Sequence, residues 1–415
     1  MGLFDRLKRR ASFMCLAWCA PLPPVTDSRS RSGPAIREKS TLSPENSILE
    51  IVESLEALGS DLGSGDEPNA VTYSPPPPYL RRSTPASLHR AAYDGNEGTA
   101  KRQLAQNPVD VNTKDKDGYT PLLYASLRGR DRVVKRLLQT KGIDPDITGK
   151  GNHSALSWAA RQGHEEVVKL LVQAPGVNLN LKCSLGRTPL AWAAVEGHVA
   201  VVSLLLRIPG VDVESRCAKG RTPLALAAKR GHEDVVAVFT SGLRGHAHPN
   251  TDPPTYETAA LTSSASAGGR RVRKRDPVVT VDVDSKDDDG LTPLFLAAQM
   301  GEAGVVKRLL QIERVDLNPC DKEGISALSW AARDGHERVV ELFLQTPGVD
   351  VNSKCKKGRT PLLRAAMKGH INVVKLLVEV AGVQVDAKDD QGSTPLLLAS
   401  DYGHEEVVDL LLQAV

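Results

Sequence analysis

The chain has 415 residues, of which 40% are apolar and only 4% aromatic, a length and composition typical of two or three globular domains. Its net charge of +3 excludes a uniformly basic or acidic chain. The charge is divided between two segments: residues 83–243 carry 22 Lys and Arg against 15 Asp and Glu, and residues 280–415 carry 15 against 22. This division favours different partners for the two segments or head-to-tail self-association. The alternative is that the charges are solvated surface residues without a binding role.

The first twenty residues combine a basic start with an apolar run. Four Lys and Arg residues precede the run, which begins at Ala11. As a helix, this segment aligns on one side Leu3, Leu7, Met14 and Trp18. The pattern predicts weak membrane contact through residues 1–20, with Cys15 and Cys19 as acylation candidates. A short secretory signal and a disordered tail are the alternatives.

A short helix is predicted near residues 44–58, where Ser43 and Pro44 provide a helix start. Its apolar stripe consists of Ile48, Ile51, Val52, Leu55 and Leu58. This stripe would pack on the chain's own repeats or bind a partner. The rest of residues 1–82 is predicted to be mostly disordered, because residues 63–79 are rich in Gly, Ser and Pro.

Two short segments match Pro-Pro-x-Tyr, and both lie in chain that is predicted to be unpacked. Their defining residues are Pro76, Pro77 and Tyr79, and Pro253, Pro254 and Tyr256. Prolines preset a polyproline II helix that docks in an aromatic groove, and the Tyr fills a second pocket. The motif resembles the ligand of WW domains, including those of HECT-type ubiquitin ligases. The alternative is a Pro-rich spacer.

One unit of sequence returns nine times and organises the chain. Each copy is indexed by one Leu at the start of its first predicted helix. These residues are Leu88, Leu122, Leu156, Leu190, Leu224, Leu294, Leu328, Leu362 and Leu396. Neighbours lie 34 residues apart, except that Leu224 and Leu294 lie 70 apart. A fixed period in this range predicts a solenoid, in which each unit buries its apolar face against the next.

Residues 186–215 show how one unit folds. Thr188 and the Pro after it suit a helix start, so a first helix is predicted over residues 190–196, and Gly197 ends it. A second helix opens at His198 and places four apolar residues on one face. These are Val201, Val202, Leu204 and Leu205. Alternating apolar and polar residues then predict an extended arm, here called the finger, that leads to the next unit.

The unit resembles the ankyrin repeat, whose pattern G-x-TPLH-x-AA-x-x-GH-x-x-VV-x-LLL is matched by GRTPLAWAAVEGHVAVVSLLL at residues 186–206. The resemblance covers residues 83–243 as repeats one to five and residues 280–415 as repeats six to nine. It implies an all-α ankyrin-repeat solenoid of helix-turn-helix units with finger loops. The period of 34 departs from the usual value of about 33 residues, and the His after TPL survives only as His89.

Residues 244–279 depart from the repeat and are predicted to form a disordered insertion. We favour one continuous stack over two separate blocks, because splitting the stack would leave two apolar ends in water whereas closing a loop costs little. The insertion contains a basic run, which is typical of nuclear import, of anion binding or of plain solvated chain. The run consists of Arg270, Arg271, Arg273, Lys274 and Arg275. Nucleic-acid binding is disfavoured, because no aromatic residue interleaves with these charges.

No catalytic constellation is found in the sequence. His164 and the two Glu residues after it begin like a zinc-protease motif, but Val168 stands where the second His is needed. His also recurs at the start of the second helix, which indicates a structural role. Cys183, Cys217 and Cys355 share one finger position, too far apart between neighbours for disulfides, and predict free thiols in a reducing compartment. We expect no enzyme, metal or cofactor.

The ankyrin resemblance implies that a protein partner binds on the concave face, formed by the fingers and the exposed ends of the first helices. Arg and Tyr at those positions are the candidate anchors, because these residue types often dominate binding energy. The candidates are Tyr93, Tyr119, Arg128, Arg161, Arg187, Arg221, Arg230, Arg333, Arg359, Lys368 and Tyr402. Trp158, Trp192 and Trp330 are predicted to pack inside the stack.

The favoured function is a non-enzymatic adaptor in the cytoplasm, the nucleus or both, with a stack that binds one protein and Pro-Pro-x-Tyr segments that recruit another. The alternative is a recognition or sensor fragment of a larger multi-domain regulatory protein.

Apolar residues of the ninth unit, including Val407 and Leu411, need a cover. The helix near 44–58, a dimer partner or further sequence would supply it.

Overall fold

The computed structural model describes residues 87–105, 110–241 and 281–414. These ranges contain eighteen α-helices in nine consecutive pairs, one 3₁₀ turn at Lys150–Asn152 and no β-strand. The pairs are α1 (Leu88–Asp94) with α2 (Glu97–Ala105), α3 (Pro121–Leu127) with α4 (Asp131–Leu138), α5 (Ala155–Arg161) with α6 (Glu165–Gln173), α7 (Pro189–Val195) with α8 (Val199–Leu206), α9 (Pro223–Lys229) with α10 (Glu233–Thr240), α11 (Pro293–Met300) with α12 (Ala303–Leu310), α13 (Ala327–Asp334) with α14 (Glu337–Leu344), α15 (Pro361–Lys368) with α16 (Ile371–Val378), and α17 (Pro395–Asp401) with α18 (Glu405–Ala414). The predicted all-α repeat fold is confirmed.

The first helix of each pair begins after a Ser or Thr that caps it. The Thr188 side chain accepts a hydrogen bond from the backbone N–H of Ala191, and Pro189 occupies the first turn, so α7 begins one residue earlier than predicted. Ser154 and Ser326 cap α5 and α13 in the same way. The helix starts are therefore preserved in these two units, although both lack Thr-Pro.

The second helices contribute a recurring set of large apolar side chains to the core. In α8, Val201, Val202 and Leu205 are buried. Leu204 was predicted on the same face but is only half-buried, because a residue three positions after Val201 lies at the edge of this arc. One contiguous apolar core runs through the nine pairs, from Leu88 to Leu411.

The helix pairs on the two sides of residues 242–280 pack directly against each other. Helix α9 contacts α11, and α10 contacts α12, in the same arrangement as between other neighbours. Arg221 and Asp287 form an ion pair across this junction at 2.9 Å. The described helices therefore form one continuous stack.

The recurring histidines join each pair to the one before it. Their Nε2 atoms donate hydrogen bonds to carbonyl oxygens at the end of the preceding first helix: His164 to Leu127 (3.1 Å), His198 to Arg161 (2.9 Å), His232 to Val195 (2.7 Å), His336 to Gln299 (3.1 Å), His370 to Arg333 (2.8 Å) and His404 to Met367 (3.1 Å). The contact needs Gly197, which has a φ of 78° and whose added Cβ would lie 2.7 Å from the His232 ring. The predicted structural role of these histidines is confirmed.

A row of asparagine side chains joins neighbouring fingers. The Asn180 side chain donates to the carbonyl of Gly210 at 2.7 Å and accepts from the N–H of Asp212 at 2.8 Å. The same double contact is made by Asn112, Asn318 and Asn352. This row was not predicted, although its signal, an Asn that returns at the repeat period, is visible in the sequence.

Several predictions concern segments outside the described residues. These are the membrane contact of residues 1–20, the helix near 44–58, both Pro-Pro-x-Tyr segments and the basic run that ends at Arg275. Among the described residues, no helix combines the length and the apolar character that crossing a membrane requires.

Candidate protein-binding face

The fingers and the ends of the first helices form one surface, which we call the finger face. The predicted binding residues on it differ in exposure. Lys368 and Tyr402 are exposed, Tyr402 at 60%. The half-buried residues are Tyr119, Arg128, Arg161, Arg230, Arg333 and Arg359. Tyr93 is buried, and Arg187 and Arg221 are each only 6% exposed. These three side chains are therefore not the exposed anchors that their positions predicted.

An aromatic row runs along the finger face from the first pair to the fourth. We define it as Tyr93, Tyr119, Tyr124, His153, Trp158 and Trp192. Successive ring centroids lie 5.8 Å apart for Tyr93 and Tyr124, 5.1 Å for Tyr124 and Tyr119, 6.3 Å for Tyr119 and Trp158, 4.5 Å for Trp158 and His153, and 5.1 Å for His153 and Trp192. Trp158 and Trp192 are buried, as predicted, and Trp330 is half-buried.

Three arginines stack on this row. The guanidinium of Arg128 lies 4.8 Å from the Tyr93 ring centroid. That of Arg161 lies 4.3 Å from the Trp192 centroid, and Arg187 approaches the same ring at 4.6 Å. Cation–π contact explains why Arg187 tolerates burial, because the ring face partly replaces the lost hydration of the guanidinium.

His153 is the titratable member of the aromatic row. Burial, together with the nearby charges of Arg161 and Arg187, lowers its pKa to about 4. The imidazole is therefore neutral at pH 7, in a region whose local field is positive.

A polar donor in the third pair remains without an acceptor. In other pairs, the donor at this first-helix position bonds to a side chain nine residues earlier: Tyr124 to Asp115 (2.8 Å), Trp192 to Cys183 (3.4 Å) and Trp330 to Asp321 (3.0 Å). Trp158 has Gly149 at that place, so its buried Nε1 has no hydrogen-bond partner in the described structure. The position nine residues earlier is thus a general acceptor site on the fingers.

In the other part of the stack, predicted anchors join helix pairs instead. Arg221 bonds to Asp287 at 2.9 Å, and Arg359 bonds to Asp389 at 3.1 Å. Burial alone would raise the pKa of Asp389, but bonds from the Ser393 N–H and the Arg359 guanidinium hold it below its ordinary value. Both acids occupy the general acceptor site, so these two arginines help to hold the stack together.

The fingertips carry a row of exposed cations that the sequence analysis missed. At one repeat position, most described fingers have a Lys or Arg, and we call these residues the finger cations. They are Lys114, Lys182, Arg216, Lys286, Lys354 and Lys388. Two of them reach the next finger, since Lys182 donates to the carbonyl of Arg216 at 3.0 Å and Arg216 donates to that of Lys286. Their signal was again recurrence at the repeat period.

The described residues were also compared with the requirements of a metal site. Across residues 87–105, 110–241 and 281–414, no three His, Cys, Asp or Glu side chains come together in a way that would hold a metal ion. Cys183, Cys217, Cys320 and Cys355 are free thiols.

Comparison with known proteins agrees with this architecture. A family model described as ankyrin repeats (3 copies) matches residues 88–183, 175–252, 276–355 and 341–415. A similar solved structure is the crystal structure of the ankyrin repeat domain of Bcl-3, a unique member of the IkappaB protein family, with 25% identity and a TM-score of 0.48 over 66% of this chain and 99% of that chain. A search of curated proteins gave no match. Because the family match extends over well more than half of its length, this chain belongs to the ankyrin repeat family.

Proposed function

We propose that this protein is a non-catalytic adaptor that binds a protein partner on its finger face. Ankyrin repeats are, as a family, non-enzymatic modules of protein–protein interaction, which is the general basis of the proposal. One observation carries it further. Recurring residues such as His198 and Asn180 bond pair to pair, whereas the rings that differ between pairs, and the arginines stacked on them, collect on one face. A surface of this kind suits recognition.

The partner of the first four pairs is an acidic protein segment. Arg128 and Arg161 lie half-buried beside the aromatic row, and Lys114 and Lys182 stand exposed on the fingers around it. Residues 83–243 carry 22 basic and 15 acidic side chains, so the long-range field also favours an acidic partner. Arg and Tyr at the centre with Lys at the rim is the usual anatomy of a binding surface.

Charge reversal on the fingers tests this proposal. In the double variant Lys114→Glu with Lys182→Glu, we expect captured partner to fall at least tenfold, because like charges then face the acidic segment. The matched control is Arg132→Glu with Lys135→Glu, which changes the net charge equally on the exposed side of α4. Equal loss in both variants, with both folded by circular dichroism, would overturn the assignment to the finger face.

The second half of the proposal is recruitment of a WW-domain protein, such as a HECT-type ubiquitin ligase, through the two Pro-Pro-x-Tyr segments. Titration of a purified WW domain into the full chain should show binding that the pair Tyr79→Ala and Tyr256→Ala abolishes. Tyr73→Ala is the control, because Tyr73 lies nearby but outside the motif. Equal affinity for all three proteins would favour the alternative of a recognition segment of a larger regulatory protein.

We place the protein in the cytoplasm, the nucleus or both. The free thiols at Cys183, Cys217, Cys320 and Cys355 support a reducing compartment. The basic run from Arg270 to Arg275 supports nuclear import. Replacing its five cations by Gln should deplete a fluorescent fusion from the nucleus, and an unchanged distribution would contradict the import role.

A further inference from the structure

A buried arginine stands out in the eighth helix pair. Arg364 lies in α15 and is only 7% exposed. It stands at the first-helix position where Trp192 and Trp330 place their hydrogen-bond donors. It forms no ion pair with an Asp or Glu among the described residues, and its Nε has no hydrogen-bond partner there. A guanidinium stays charged at any physiological pH, and a buried charge without a counter-charge is strongly destabilising.

The one acceptor that Arg364 reaches is a sulfur atom. Its Nη2 lies 3.3 Å from the Sγ of Cys355, which is 8% exposed. Cys355 occupies the finger position that Asp115 and Asp321 occupy elsewhere, where a carboxylate accepts the bond from the first helix. An anionic sulfur at this place would do what those carboxylates do.

The hydrogen bonds around the sulfur favour its anionic form. Burial raises the pKa of the Cys355 thiol, but bonds from the Lys357 N–H, the Arg364 guanidinium and the Arg359 N–H outweigh burial and bring it below its ordinary value.

The charges on neighbouring elements do not change the balance between burial and hydrogen bonding that sets the pKa of the Cys355 thiol. Lys354, Lys356 and Lys357 are exposed on the same finger. On the preceding finger, Glu323 pairs with Lys356 at 3.5 Å. On the following finger, Asp389 pairs with Arg359. Asp390 on the following finger also lies against this finger, because its N–H donates to the carbonyl of Lys357, and it is exposed to solvent that screens its charge.

Two cysteines at the same finger position provide an internal comparison. Cys183 is buried and accepts a bond from the neutral indole N–H of Trp192 at 3.4 Å. Cys217 is half-buried and packs against Leu226, which offers no donor. The three sites thus share a backbone setting and differ in the partner of the sulfur.

We propose that Cys355 is a thiolate held by the buried guanidinium of Arg364, and that it is a modification site for hydroperoxides. The thiolate attacks one oxygen of the peroxide, an S–O bond forms, and the O–O bond breaks with hydroxide leaving. The sulfur loses two electrons and becomes a sulfenic acid, while hydrogen peroxide is reduced to hydroxide, which takes a proton from solvent. This inference goes beyond the adaptor function and does not rest on it.

The first test measures the thiolate directly. Absorbance at 240 nm is titrated with pH for the full chain and for Cys355→Ala, and the difference gives the midpoint of Cys355. The same subtraction with Cys183→Ala gives the reference midpoint. We expect Cys355 to titrate at least one pH unit below Cys183. An equal or higher midpoint for Cys355 would overturn the proposal.

Variants of Arg364 test the source of the effect. Arg364→Met should raise the Cys355 midpoint to that of Cys183 or above, whereas Arg364→Lys should keep it low because the charge is retained. Arg364→Trp copies the partner of Cys183 and serves as a second variant if Arg364→Met does not fold. A folded variant without the guanidinium that leaves the midpoint unchanged would refute the pairing.

The peroxide step has its own readout. The full chain is treated with increasing hydrogen peroxide in the presence of dimedone, and labelled cysteines are located by mass spectrometry. Cys355 should be labelled at a peroxide concentration at least tenfold below that needed for Cys183, and this preference should disappear in Arg364→Met. Labelling of the more exposed Cys217 before Cys355 would overturn the assignment of the modification site.

Discussion

The first five helix pairs (residues 87–241, the first block) and the last four (residues 281–414, the second block) share their core positions but line their finger faces differently. At the donor position of its first helices, the first block places Arg90, Tyr124, Trp158, Trp192 and Leu226. The second block places there Leu296, Trp330, Arg364 and Leu398. Residues 83–243 have 22 basic and 15 acidic side chains, and residues 280–415 have 15 and 22. The difference lies at a position whose residue type varies between units while the helix pairs keep the same arrangement.

The two blocks meet through two ion pairs. Arg221 of the first block pairs with Asp287 of the second, and Arg308 of the second pairs with Glu233 of the first at 3.3 Å. Glu302 stands where six pairs have the joining His and the second pair has Arg130, which donates to the carbonyl of Tyr93. An ionised carboxylate cannot donate a hydrogen bond to a backbone carbonyl, as His232 and His336 do in their own pairs. The junction therefore depends more on its ion pairs.

The largest expected effect comes from breaking this junction. Arg221→Met leaves the fully buried Asp287 carboxylate without its cation and should cost about 3 to 5 kcal/mol. Because the lost contact joins the blocks, thermal unfolding should split into two transitions. Arg359→Met is the control inside the second block, where a more exposed pair is lost and one transition should remain. A loss below 1 kcal/mol for Arg221→Met would contradict the role of this pair.

Core truncation should affect both blocks alike. Leu190 and Leu328 occupy the same position in the fourth and seventh pairs, and both are buried. Replacing either by Ala removes apolar contact and leaves a cavity, at an expected cost of about 2 to 5 kcal/mol measured by denaturant unfolding. A cost below 0.5 kcal/mol for either variant would show that its block is packed differently.

Acid should weaken the first block selectively. The pKa of His153 falls from its ordinary value near 6.5 to about 4 in the folded chain, mainly through burial, so the unfolded chain binds the proton more readily. Its contribution to stability is complete above pH 6.5 and is lost as the pH falls to about 4. At 1.36 kcal/mol per pKa unit, the loss is about 3 kcal/mol.

His153→Tyr provides the measurement, because Tyr119 occupies the same position in the preceding pair. The difference in unfolding free energy between the wild type and this variant should change between pH 4 and 6.5 and stay constant above. The second block has no His at this position, so Ile325→Ala should shift stability equally at every pH. A pH-independent difference for His153→Tyr would contradict the assignment.

Local rules made the units predictable from sequence. Thr188, Leu190 and Gly197 follow from capping, helical spacing and the left-handed helix end, which involve residues a few positions apart. The pairing of Arg221 with Asp287 was not predictable in this way, because the partners are separated by 66 residues and the insertion breaks the period.

The sequence predicted which repeat positions line the finger face, but not how exposed each side chain at those positions is. Tyr119 and Arg187 occupy the same repeat position, yet Tyr119 is half-buried and Arg187 is buried over Trp192. The outcome depends on the ring that the next helix supplies, which a single position does not reveal. The general acceptor site could have been recognised, since seven of the eight units from the second to the ninth have Asp or Cys there.

The smallest expected effect is at the ninth pair, where the second block is uncovered in the described structure. Leu363 and Leu397 occupy the same position, but Leu363 is buried by the following pair whereas Leu397 is 52% exposed. Leu397→Ala should therefore cost less than about 1 kcal/mol, against about 2 to 5 kcal/mol for Leu363→Ala in the same unfolding experiment. A loss above 2 kcal/mol for Leu397→Ala would mean that this end of the stack is covered in solution. Dependence of that loss on protein concentration would then separate a second copy of the chain from a segment of the same chain.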